Sequence, residues 1–409
     1  MVAFSVLALF AGVVTTAAAS SIKNLVVFGD SNSDVGNSQR WSNGPVWSEY
    51  LAVGWNASLY SFAYSGSVCD TGMYNSIAKE DRVPSLRDQL EAYYNLNLNL
   101  KPEETVYAFW FGVQDVFEMS KRHGRQEPDY KAITDCIGQQ LRASRKVFLS
   151  DRYLVLNVPP LGQMPYYQES NVAANRSQAS VDINRALEKD VGNLNKHHHA
   201  LEMDYVDIHS LVSDISVDPT VFAFQNPNAS YLDTCYDNAQ CKLKESDYIW
   251  WDKTHFTTAF HKSIAKSIIE AESYTPKVTL TKEIEKQLDD PKSQFHSKTY
   301  AAPPFKGLMD DKAKQYDLEK SQTTIEPQQP PLEDDRADFE TKDATLVPSK
   351  ENGHAFVGLF VFVLVIVGII VWIKFPTCSL FAWVRAKFAA VSGGRDRGKF
   401  TPVRNEDEA

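Results

Sequence analysis

The chain has 409 residues, enough to bury a core of ordinary size and still carry further segments. A formal net charge of -10 excludes the basic footprint that a nucleic-acid partner requires. Hydrophobic residues make up 43% of the chain, which fits a globular portion, and both ends depart from that portion.

Val2 to Ala19 is an apolar run that closes on small residues, Ala17-Ala18-Ala19-Ser20. It reads as a secretory signal peptide over residues 1–19, although no Lys or Arg precedes the run. The next stretch, Leu25-Val-Val-Phe28, predicts a short buried strand that ends in Gly29-Asp-Ser-Asn32. Pro45 starts a short helix over Trp47 to Val53. Leu59 to Tyr64 is a second strand, leading into Ser65-Gly66-Ser67. Ser85 to Asn95 is helical, with Leu86 and Leu90 four apart. Val106 to Phe111 is a third strand, followed by Gly112-Val-Gln-Asp115. Tyr130 to Leu141 is helical, and Tyr153 to Val158 is a fourth strand ended by Pro159-Pro160. Val172 to Lys196 is a long helix, Leu201 to Ile208 a fifth strand, and Thr257 to Ala271 a closing helix with Ile264, Ile268 and Ile269 on one face. Strands alternating with helices at this spacing predict an α/β domain over residues 20–272, built on a parallel sheet covered on both faces.

From Ser273 to Asn352 the composition turns polar, with Pro303-Pro304 and Pro330-Pro331 and little apolar periodicity. The expectation is a disordered stalk, 273–352, reaching roughly 50 Å as a flexible coil. Ala355 to Ile373 carries no charge, and as a helix it spans about 28 Å, close to the bilayer's hydrocarbon thickness. Lys374, Arg385, Lys387, Arg395 and Arg397 follow it. The positive-inside bias assigns residues 374–409 to the cytosol and the N-terminal bulk to the lumen or exterior. A membrane is therefore one expected partner, met through a single C-terminal helix.

The sequons at Asn56, Asn175 and Asn228 agree with export. So do Cys69, Cys136, Cys235 and Cys241, an even number in an oxidising compartment. Cys235 and Cys241 close a short loop, and Cys69 with Cys136 would complete the set, though sequence does not fix the connectivity. Cys378, just inside the predicted span, is open to palmitoylation.

Chemistry in an open α/β sheet sits where strands end at their carboxyl edge. Ser31 is at such an end. A serine hydroxyl is a poor nucleophile until a base takes its proton. Trp250-Trp-Asp-Lys-Thr-His255 supplies one, with Asp252 near enough in sequence to fix the tautomer of His255. Donors for a growing oxyanion are the N–H of Ser31, the N–H of Gly66 and the side-chain amide of Gln114. Other readings are weaker. His197-His-His199 cannot converge on one ion from consecutive helical positions. Asp30, Asp34 and Asp115 could gather a hard cation but suit turn hydrogen bonds better, and the chemistry needs neither metal nor cofactor. Trp47, Trp250 and Trp251 suit either a substrate wall or the core, and His261 suits a structural position.

Taken together, Phe28-Gly-Asp-Ser-Asn-Ser-Asp34, Ala63-Tyr-Ser-Gly-Ser67, Gly112-Val-Gln-Asp115 and Asp252-Lys-Thr-His255 stand in the order and spacing of a GDSL, or SGNH, hydrolase, which the chain resembles over about residues 25 to 270. Ser42-Asn-Gly-Pro-Val-Trp47 and Asn157-Val-Pro-Pro-Leu-Gly162 are most similar to secreted fungal members grouped with carbohydrate acetylesterases and to bacterial haemolysin-type lipases. The resemblance implies a flavodoxin-like three-layer αβα sandwich and ester hydrolysis through an acyl-enzyme. It implies Ser31 as nucleophile and donor, Gly66 as second donor, His255 as base and Asp252 as its orienter. The family's third block usually has Asn where Gln114 stands, one methylene shorter. The expected partner is thus an ester, of an acylated saccharide or a lipid.

Overall fold

A computed structural model of the protein describes residues 22–74, 77, 82–122, 129–197 and 202–323. The predicted signal peptide, the 355–373 span, the 374–409 tail, Cys378, His198 and His199 lie outside the described residues. The residues up to Leu318 form one unit, and Glu319–Thr323 belong to a second.

The strands are β1 (Asn24–Gly29), β2 (Ser58–Ser61), β3 (Thr105–Trp110), β4 (Arg152–Leu156), β5 (Glu202–Val206), β6 (Asn226–Ser230) and β7 (Tyr248–Trp250). The α-helices are α1 (Trp47–Trp55), α2 (Leu86–Leu96), α3 (Val113–Arg122), α4 (Lys131–Phe148), α5 (Pro165–Gln168), α6 (Ala173–His197), α7 (Ile208–Val217), α8 (Tyr231–Thr234), α9 (Thr258–Glu270), α10 (Lys282–Glu285) and α11 (Leu308–Thr323). Five strands make one parallel sheet in the order β2-β1-β3-β4-β5, the flavodoxin-like order, and β6 and β7 make a separate parallel pair.

Every residue of β1 and β3 is buried, as their unbroken apolar runs require of strands covered on both faces. The chain moves from β1 to β2 in one direction and from β2 back across β1 to β3 in the other. Right-handed crossovers then put α1 and α2 on opposite faces. The packing agrees, for α1 lies on α9 while α2 and α6 both lie on α4. Helix starts follow their capping residues: Ser85 accepts from the Asp88 N–H before α2, and Thr257 accepts from the Phe260 N–H before α9.

Four features differ from the sequence reading. The second strand stops at Ser61, although the Phe62 and Tyr64 N–H groups still bond to the Val27 and Gly29 carbonyls before the chain turns toward Gly66. The helix α3 begins directly at Val113, inside the block expected to be a loop. The β6–β7 pair and α7 are too short or too unpatterned to have been read from periodicity.

The largest difference concerns the expected stalk, because residues 273–318 are packed onto the domain as a strap, while residues 324–352 lie outside the described residues. The Ser273 hydroxyl donates to Asp204 at 2.6 Å. The Ser297 hydroxyl accepts from the Ser61 N–H at 2.8 Å, on the open edge of β2. The Tyr300 ring stacks on Phe62 at 4.4 Å. Glu91 accepts from the N–H groups of Lys306 (2.6 Å) and Leu308 (2.8 Å). Leu280, Leu288, Phe295 and Met309 are buried. Apolar anchors this sparse leave no helical or strand period, and most of the polar residues between them face water, with only a few, such as Ser273, His296 and Ser297, bonded to the domain.

Candidate active site

The turn after β1 is built by its own side chains. The Ser33 N–H donates to the Asp30 carbonyl at 3.1 Å, closing a four-residue turn with Ser31 at its second position. The Asn32 N–H donates to Asp30 Oδ1 at 3.0 Å. A Cβ on Gly29 would stand 2.7 Å from the Ser33 Cβ, so only glycine lets the turn fold back this tightly. Ser31 itself is half-buried.

Neighbouring strands bring the oxyanion candidates to the same edge. Because β1 lies between β2 and β3 in parallel register, the loops after all three strands meet at one carboxyl end. Gly66, after β2, has φ +82°, a conformation that favours glycine. Gln114 sits in the first turn of α3. Both residues line one cavity of about 210 Å³, with Val68, Thr71, Ile77, Val83, Glu118 and Lys121. The Gln114 amide nitrogen donates to Glu118 Oε1 at 3.1 Å, which engages one of its two protons.

Asp34 organises the loop on the other side of Ser31. Its carboxylate accepts from the N–H groups of Gly36, Asn37, Gln39 and Ser65, at 2.8 to 3.1 Å. Asp115 accepts from the Cys69 N–H (2.9 Å) and the Tyr74 hydroxyl (2.8 Å). Burial pushes the Asp115 carboxyl up to about 6. Burial pushes Asp30 up to about 7, with the Asn32 N–H and the charge of His255 opposing and that of Asp115 adding. Among the described residues no group of three or more His, Cys, Asp or Glu side chains is arranged to hold a metal ion.

The base candidate comes from the loop after β7. The Trp251 N–H donates to the His255 carbonyl at 2.8 Å, which pinches residues 251–255 into a tight loop. His255 Nδ1 lies 2.8 Å from Asp252 Oδ2, and Asp252 Oδ1 accepts from the Thr254 and His255 N–H groups, each at 2.8 Å. Burial raises the Asp252 carboxyl, but the His255 ring and these N–H groups outweigh it and hold it below the ordinary carboxylate value. A charged Asp252 keeps the proton on Nδ1 and leaves Nε2 as the basic nitrogen.

Aromatic packing joins this loop to the turn. Trp47 Nε1 donates to Ser33 Oγ at 3.0 Å, Trp47 meets Trp110 edge-on at 6.1 Å, and Trp110 stacks on Phe256 at 6.3 Å. Ser33 and Phe256 are close in sequence to Ser31 and His255. Trp47 and Trp250 are fully buried, and Trp250 Nε1 donates to the Pro227 carbonyl, so both are core residues. Trp251 is half-buried and stacks on Tyr231. His261 is buried, and desolvation pushes it down to about 3, so it stays neutral. His197 is exposed at the end of α6.

The cysteines pair as Cys69–Cys136 and Cys235–Cys241. The first ties the chain just beyond Gly66 to α4. Asn56, Asn175 and Asn228 are all exposed. Sequence reasoning missed Trp41, whose ring stacks on His255 with centroids 4.9 Å apart and planes 9° from parallel. It also missed the ionic group of Arg40, Glu49 and His296, for which no local signal exists because His296 is 247 residues from Glu49.

The family model for GDSL-like Lipase/Acylhydrolase matches residues 25–268. The thermolabile hemolysin of Vibrio parahaemolyticus is 26% identical over 288 residues, 61% of this chain. The chain spans 64% of that protein's length. Among solved structures, a catalytic mutant of an acetylxylan esterase from Geobacillus stearothermophilus aligns with 61% of this chain and 95% of its own, at 12% identity and a TM-score of 0.37. A carbohydrate esterase family 2 enzyme from Corynascus aligns with 61% of this chain and 66% of its own, at 15% identity and a TM-score of 0.38. Likenesses at that level transfer neither a site nor a substrate. With the family model covering residues 25–268, the chain belongs to the GDSL-like lipase/acylhydrolase family of carboxylic ester hydrolases.

Proposed function

We propose that the protein is a serine ester hydrolase for short-chain acyl esters, acetylated saccharides among them. The observation that carries this reading is the Asp252–His255 pair at 2.8 Å, in a loop joined through Phe256, Trp110 and Trp47 to the turn that holds Ser31. In the reaction, Ser31 Oγ attacks the ester carbonyl carbon as its proton passes to His255 Nε2. The N–H groups of Ser31 and Gly66 and the Gln114 amide receive the oxyanion. His255 then returns the proton to the departing alcohol, and water repeats the sequence on the acyl-enzyme.

A lipase or phospholipase is the second reading, favoured by the relative named as a hemolysin. A panel of acetylated sugars, phospholipids and triglycerides distinguishes the two. Hydrolysis of p-nitrophenyl acetate by the purified protein, lost in Ser31→Ala and accompanied by fluorophosphonate labelling of Ser31, is the expected result. Absence of labelling in the folded wild-type protein would favour a non-catalytic binding role on the same scaffold.

The protein is further read as a single-pass membrane protein with this domain outside the cytosol. The apolar run 355–373, the cations after it, the exposed sequons and the paired cysteines support that topology. No helix among the described residues is long and apolar enough to cross a membrane. A glycosidase-sensitive mass shift, together with protection of the domain from protease in intact microsomes that is lost on adding detergent, is the expected outcome.

A further inference from the structure

We propose that Trp41 is a positioning residue for the base His255, and that the C-terminal strap fixes Trp41 through His296, Glu49 and Arg40. The inference rests on the hydrolase reading for its kinetic consequences, but its geometry stands separately.

The hydrogen bonds to the His255 ring, from Asp252 at 2.8 Å and the Thr254 hydroxyl at 3.1 Å, both meet Nδ1, so they fix one edge of the ring and not its tilt. The nearly parallel indole of Trp41, 4.9 Å away, closes one face of the ring and removes that freedom. Trp41 is 36% exposed, so the core does not hold it. Its loop is held by its neighbour. Arg40 donates to the Val35 and Gly44 carbonyls at 3.2 and 2.9 Å, spanning the loop that carries Trp41. The same guanidinium grips Glu49 in a fork, at 2.6 and 3.0 Å. Glu49 is fully buried in α1, so Arg40 cannot move without stranding a carboxylate in the core.

The third member of the group comes from the strap. His296 Nδ1 lies 2.8 Å from Glu49 Oε1, and Nε2 lies 2.7 Å from the Leu288 carbonyl. Both partners are acceptors, so both ring nitrogens must donate, and the imidazole carries its second proton. Glu49 thus has a cation on each side, one from the Trp41 loop and one from the strap. The strap reaches the base candidate by a continuous set of contacts: His296, Glu49, Arg40, the 35–44 loop, Trp41, His255.

The test is a double-mutant cycle on the full chain, read as kcat and KM for p-nitrophenyl acetate with Tm alongside. Trp41→Ala is expected to lower kcat about 10- to 100-fold with KM within about threefold, the scale on which a misplaced catalytic group is felt. Trp41→Phe, which keeps a stacking ring, is expected to restore most of the loss. His296→Ala is expected to lower kcat several-fold in the wild-type background and not at all in Trp41→Ala, because both act on one contact. Asp317→Asn, which breaks a strap ion pair with Lys146 far from this group, should leave kcat unchanged. Losses that multiply, or a Trp41→Ala enzyme with wild-type kcat, would overturn the proposal. The stack also has a readout without catalysis. Ring-current-shifted His255 resonances are expected in the wild type and at ordinary positions in Trp41→Ala, and no such difference would overturn the stack even if no ester were hydrolysed. A wild type that hydrolyses nothing but keeps the shift would overturn the hydrolase reading instead.

Discussion

The Gln294 carbonyl accepts a hydrogen bond from the Leu59 N–H at 2.9 Å. Leu59 is on β2, the edge strand of the main sheet, and its N–H points away from β1. An open edge of this kind pairs readily with other chains. Gln294 and Ser297 cover it, so the strap belongs to the folding unit. A chain ended after Glu272 is expected to be poorly soluble, whereas one ended after Thr323 should fold with the Tm of the whole protein. Within the full chain, Phe295→Ala is expected to cost about 3–5 kcal/mol in a denaturant titration, the usual range for deleting a buried aromatic ring. Equal solubility and Tm for both truncations would count against the strap.

The central fold was legible because β1, β3 and β4 are unbroken apolar runs and their helices are amphipathic with ordinary caps. Ser31, Gly66 and Gln114 could be named as candidates because each follows a strand that could be read. The Asp252–His255 pair was legible because three residues separate its members. The strap was not, because its meaning lies in partners more than 200 residues away, such as Glu49 for His296 and Glu91 for Leu308. Trp41 escaped for a related reason, since nothing in its neighbours announces a ring that stacks on a histidine over 200 residues later.

The His296–Glu49 contact predicts a specific pH dependence of stability. Glu49, despite burial, is held below the ordinary carboxylate value by His296 and Arg40, so its contribution is present above about 4.5 and lost as pH falls through the folded value. The Glu49 carboxylate, with the Leu288 carbonyl, holds His296 above the ordinary histidine value, so its contribution is full below about 6.5 and lost as pH rises through the folded value. The Tm deficit of His296→Gln is therefore expected to be largest near pH 5–6 and to shrink in alkaline buffer. A deficit independent of pH would show that the imidazolium contributes nothing.

Asp30 predicts a loss of wild-type stability with rising pH as well, from a different cause. Burial raises its carboxyl to about 7, and its Oδ2 has no hydrogen-bond partner. The folded state therefore favours the protonated form, and ionising Asp30 above the ordinary value near 3.8 destabilises the fold increasingly up to about 7. Asp30→Asn keeps the shape without the charge. Its Tm should exceed that of the wild type at pH 8 by more than at pH 4, a gain on the order of a few kcal/mol at most. Esterase activity is not expected to rise with it, since stability gained beside a reacting group commonly comes with reduced function. A Tm difference that is equal at both pH values would argue that Asp30 is ionised throughout.

Gln114, proposed as the third donor and longer than the family's usual Asn, carries a prediction of its own. Its amide reaches Glu118 at 3.1 Å with one proton and keeps the other for the cavity it shares with Gly66. Glu118 in turn pairs with Lys121 at 2.7 Å. The longer side chain is thus restrained along α3 by Glu118. Removing the donor should cost what loss of one oxyanion contact costs, so Gln114→Ala is expected to lower kcat about 100- to 1,000-fold with little change in KM. Glu118→Ala removes the restraint, together with the Lys121 ion pair, but leaves the amide in place, so its kcat should fall less, by about 10-fold. If Gln114→Ala retains the wild-type kcat while Ser31→Ala abolishes it, the oxyanion is received by the Ser31 and Gly66 N–H groups alone.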